Sequence, residues 1–154
     1  MNIEPSVSIE SIVQRAEDLG VDCITDTRSI PELACKLCQM LDAKLNVAQR
    51  KVLNAAHQYL LYGNGDEADA SITELAQRVG RPYPVDMPED LIAIERLLWG
   101  ALNRVTSLSS YALEFTLCVA NAAGLSAEEM APVVSRTLSS TGDSNSSARN
   151  RPTA

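Results

Sequence analysis

Three observations predict an all-α protein: a compact single-domain bundle of six or seven helices with a disordered C-terminal tail. Apolar residues recur at helical spacing through most of the first 138 residues. Most of these segments are bracketed by residues that start and stop helices. Apolar residues make up 45% of the 154-residue chain but aromatics only 4%. The core must therefore be built from Leu, Ile, Val and Ala, which suits packed helices better than sheets, where aromatic and β-branched residues are favoured. The length corresponds to one helical domain over 1–138 and a polar tail over 139–154.

The elements follow in order. Ile9, Ile12, Val13, Ala16 and Leu19 define a first helix, with Gly20 as its stop. "VDCITDTR" (21–28) is a connector. A second helix opens with "SIPE", where Ser29 and Glu32 have the spacing of a capping box and Pro31 sits in the first turn; it is expected to reach about Lys44. Asn46 and Gln49 repeat the pattern for a third helix, which should end at Tyr62 before "GNG". Ser71 with Glu74 and then Gly80 delimit a short fourth helix. "RPYPVDMP" (81–88) is an extended loop, because each proline lacks an N–H and restrains the residue before it. The fifth helix, from Pro88 to about Val105, is expected to be the longest. The sixth, from about Tyr111 to Ala123, is apolar almost all round and reads as the central buried helix. Ser126 and Glu129 cap the seventh, with Leu125 stapled onto Met130 and Pro132 placed to kink or shorten it. Beyond Leu138, "SSTGDSNSSARNRPTA" lacks the apolar residues needed to offset ordering entropy.

The segment 71–104 invites comparison with a helix-turn-helix, and so a nucleic-acid-binding regulator is one alternative function. Three features oppose it. A helix-turn-helix turn spans about three or four residues, whereas Pro82, Pro84 and Pro88 intervene here. The following helix begins with Glu89 and Asp90, which would repel phosphates where a recognition helix meets DNA. Residues 71–104 carry four arginines against five acids, with no basic stripe.

Cys35 and Cys38 form a C-x-x-C pair, which suggests a second alternative, a thiol-dependent redox or metal protein. On a helical wheel Cys38 lies at the edge of the apolar face and Cys35 on the polar side, so Cys35 is expected to be partly exposed. Cys23 and Cys118 add no second paired spacing, so no metal site is expected. His57, the single histidine, borders the apolar face of Val52, Leu53, Ala56 and Leu60 and has no catalytic partners by spacing. Asp66, Glu67 and Asp69 lack calcium-loop offsets and read as a solvated acidic loop. No catalytic set and no cofactor motif emerges, so an enzyme is not expected.

The leading expectation is a small acidic cytoplasmic protein that acts by binding another protein, in the manner of an adaptor, immunity protein, chaperone or anti-activator. Net charge is −7, which opposes approach to nucleic acids and anionic membranes. "MNIEPSVSIE" has no apolar signal-peptide core, and no stretch is long enough for a membrane span. On the fifth helix, Ile92 and Trp99 form a second stripe beside the core face, with Arg96 nearby. If the proline loop leaves that stripe open, Tyr83, Met87, Ile92, Arg96 and Trp99 compose a partner-binding patch with an aromatic anchor. Gly100 beside it is consistent with close approach of another helix, either within the domain or from the second subunit of a homodimer.

Overall fold

The computed structural model describes the main chain over residues 7–23, 26–63, 65–79, 88–103 and 106–149, and side chains as far as 139 except 67, 72 and 76–79. Within these residues the chain forms seven α-helices and no strand: α1 (Ile9–Asp18), α2 (Ser29–Met40), α3 (Val47–Tyr62), α4 (Asp66–Val79), α5 (Glu89–Leu102), α6 (Ser110–Ala122) and α7 (Ala127–Arg149). Short 3-10 turns at Val21–Cys23 and Asp42–Lys44 join α1 to α2 and α2 to α3. The bundle matches the predicted class and helix number.

Capping chemistry explains most of the boundaries. The Asn46 and Ser126 side chains accept hydrogen bonds from the main-chain N–H groups of Gln49 and Glu129, whose side-chain Oε1 atoms in turn accept from the Asn46 and Ser126 N–H groups. These reciprocal pairs satisfy donors that the first helical turn leaves free. Gly63 ends α3 in the left-handed conformation (φ 72°), and Leu125 and Met130 are both buried around the start of α7.

Several expected boundaries shift. α2 ends at Met40, with the 3-10 turn replacing its last expected turn. Ser29 is its first helical residue rather than its cap: its hydroxyl donates to Asp26 Oδ2, and Arg28 N–H donates to Asp26 Oδ1. An aspartate three residues upstream has displaced the S-x-x-E box. α4 starts at Asp66, so Ser71 lies inside it and Asp66 and Asp69 belong to its first turn. Acids favour that position because they complement the positive end of the helix dipole. α5 stops at Leu102 and is shorter than α3 and α7. Pro132 does not shorten α7, which runs through it. Beyond 139, where the sequence predicts a polar tail, the main chain is helical to Arg149. Extending an existing helix forms one hydrogen bond per residue fixed, and the sequence holds no proline between Pro132 and Pro152.

The central helix is α2, not α6. It packs on α3, α5, α6 and α7 and buries Leu33, Ala34, Cys35, Leu37 and Cys38. α5 lies across it, with Gly100 opposite Ala34: a Cβ on Gly100 would lie 3.6 Å from the Ala34 Cβ. The close approach suggested by Gly100 is thus met inside the domain. α6 packs on α1, α2 and α5, burying Leu113, Thr116, Leu117 and Ala120 but leaving its other side open.

Polar latches hold α6 at both ends. At its start Ala112 N–H donates to Ser109 Oγ (3.0 Å) and Ser110 N–H to Asp22 Oδ1 (2.8 Å), while Leu108 N–H donates to the Asp26 carbonyl (2.7 Å). At its end Lys44 Nζ donates to the Ala123 carbonyl (2.9 Å) and pairs with Asp90 of α5 (3.7 Å). A cation there satisfies a free carbonyl and opposes the negative helix end.

Candidate functional site

The open side of α6 faces a groove shared with α5, with a volume of about 440 Å³. Arg96, Trp99 and Gly100 of α5, with Asn103 just after it, form one wall; Tyr111, Ala112, Phe115 and Val119 of α6 form the other, with Ile30 of α2 also lining it. Helical periodicity builds both walls. Arg96 and Gly100 are four apart on α5, with Asn103 just past its end, and Ala112, Phe115 and Val119 are three and four apart on α6, so each set lies along one side of its helix.

The aromatic residues of the groove are its distinctive feature. Trp99 is half-buried and packs against the core. Tyr111 is 78% exposed and Phe115 57% exposed. Large rings left this open bury area readily when covered, and three line one groove in a chain with only six aromatics. Cys118, also exposed, continues the outward face of α6 one turn beyond Phe115.

Of the sequence-predicted partner residues, Arg96 and Trp99 line the groove. Ile92 is half-buried two turns earlier on α5 and does not line it. Tyr83 and Met87, with the rest of the proline loop from 80 to 87, lie outside the described residues. Tyr111 and Phe115 were not foreseen as site residues. The sequence signal for them was present but ambiguous: an apolar helix without clear periodicity is either buried all round or apolar on an exposed face. α6 is the second case, which corrects the expectation of all-round burial.

The thiol pair is placed differently from expectation. Cys35 is 2% exposed rather than partly open, and Cys38 is fully buried. Because α2 packs against four helices, its covered surface extends to Cys35, although Gln39 on the polar side of the wheel is exposed. Burial pushes the Cys35 thiol up to about 12, with the nearby Glu32 charge adding to it. Cys38 is also raised, by burial first and then by Cys35. A thiol nucleophile or metal ligand must lose its proton, and this environment holds both protons in place. Among the described residues, no three His, Cys, Asp or Glu side chains converge as metal ligands. His57 Nδ1 lies 3.4 Å from Gln39 Nε2 at the α2–α3 contact.

The segment compared with a helix-turn-helix comprises α4, residues 80–88 and α5, and Asp90 in the first turn of α5 is held by Lys44. No described helix is long and apolar enough to cross a membrane. No family model, curated protein or solved structure matches this chain.

Proposed function

We propose that the protein acts by binding another protein, and that the α5–α6 groove is where it binds. The observation that supports this reading is the convergence of Trp99 with the exposed Tyr111 and Phe115 on one apolar groove. Interfaces gain most of their affinity from a few aromatic and arginine residues in such concavities. The apolar character of the walls favours a protein segment over a polar metabolite. The acidic charge of −7 and the acidic first turn of α5 weigh against nucleic acid as the partner. The raised Cys35 and Cys38 weigh against thiol chemistry.

Affinity capture from the source cell, with the wild-type chain and a Tyr111→Ser/Phe115→Ser variant in parallel, tests the proposal. The expected result is a stoichiometric protein partner on the wild-type chain that is lost from the equally folded variant. Loss of two aromatic anchors of about 2 kcal/mol each would lower affinity by roughly a thousandfold. Recovery of the same partner on both chains would overturn the assignment of the groove.

A further inference from the structure

Resting on the reading of the groove as a protein-binding site, we infer that its occupant is an amphipathic helix of another protein that carries an acidic residue beside its apolar stripe. Charge complementarity is the first support. The molecule carries a net charge of −7, yet among the described residues the only charged side chain lining the groove is a cation, Arg96. Arg96 is exposed, and among the described residues no carboxylate lies within ion-pair distance of it. Lys36, Lys44 and Arg50 each face an acid within their own fold. Arg96 therefore presents its planar donors at the edge of an apolar trough, the geometry suited to a carboxylate on a docked partner.

The backbone supports the second part. Both walls are helices whose main-chain groups are used internally, and no strand edge exists among the described residues to pair with an extended segment. Recognition must then come from side chains. Gly100, Ala112 and Val119 are small or short, which leaves room for partner side chains to insert between the larger Trp99 and Phe115. An amphipathic helix supplies apolar knobs three and four residues apart, with a polar flank that would bring a Glu or Asp to Arg96. A second copy of this chain is the competing occupant, and the test distinguishes it.

A displayed library of helical peptides, panned against the full chain and against Arg96→Glu and Phe115→Ser variants, tests the inference. Peptides enriched on the wild-type chain should carry Asp or Glu next to an apolar stripe, and those enriched on R96E should carry Lys or Arg there. A selected Glu peptide should bind the wild-type chain about 1.4-fold to fivefold more tightly than its Gln counterpart, the range of an exposed ion pair, and lose that preference on R96E. Equal enrichment of acids and bases, or the same peptides on R96E, would overturn the acidic occupant while leaving groove binding intact. No enrichment dependent on Phe115 would overturn both. Concentration-dependent dimerisation abolished by Phe115→Ser, without peptide enrichment, would assign the groove to a second copy instead.

Discussion

Two glycines show how differently the same residue can be constrained. Gly124 ends α6 with φ +120°, and a Cβ there would stand 2.6 Å from Lys44 Nζ, the group that caps the helix. Gly124→Ala is expected to destabilise the fold by about 1–3 kcal/mol, because it strains the backbone and displaces that cap. Gly100 has helical geometry and an ordinary 3.6 Å neighbour in Ala34. Gly100→Ala should therefore be neutral or stabilise by up to about 1 kcal/mol through helix propensity. Urea midpoints of the two variants against wild type decide both. Gly124 was legible as a stop because glycine is the residue that tolerates positive φ. Lys44 was not, because its target carbonyl is far away in sequence.

At the level of the helix, α2 carries the clearest chemical consequence. Cys35 and Cys38 are enclosed, while Cys23 and Cys118 are exposed. Two of the four thiols should react with a maleimide in the native state and all four after unfolding. The buried pair also gives stability a pH dependence. The folded-state value of Cys35 is raised from 9.0 to about 12, so the neutral thiol is favoured by folding. Its contribution is fully present below the unfolded value and is lost as pH rises between about 9 and 12. Stability should fall across that window, and less steeply in Cys35→Ala, by up to about 1.4 kcal/mol per pH unit, in denaturation curves measured at several pH values. Equal slopes would show that Cys35 is not enclosed. The wheel placed Cys35 on the polar side because a wheel assumes one covered face; four neighbours on α2 remove that assumption. Local signals such as the Asn46/Gln49 and Ser126/Glu129 boxes were readable from neighbours in sequence. The start of α2 was not, since Asp26 engages the Ser29 hydroxyl and the Arg28 N–H, and the helix begins at Ser29 without a side-chain cap.

For the molecule as a whole, half of the candidate site was legible in sequence. Trp99 stood out on α5, with Ile92, as a stripe beside the core face, and Arg96 as a charge at its rim. Tyr111 and Phe115 could not be assigned from α6 alone, because an apolar outer face erases the periodicity that would reveal it. Only the packing of α6 on α1, α2 and α5 shows which side stays open. The proposed function rests on that open side, and the molecule carries its own reporter there: Trp99 is the single tryptophan and lines the groove. The most direct measurement is the quenching of Trp99 emission by acrylamide, in the free protein and after addition of the captured partner at saturating concentration. A blue-shifted emission with quenching at least halved on complex formation is the expected result. A stoichiometric complex in which Trp99 keeps its emission maximum and its full quenching would contradict binding at the α5–α6 groove.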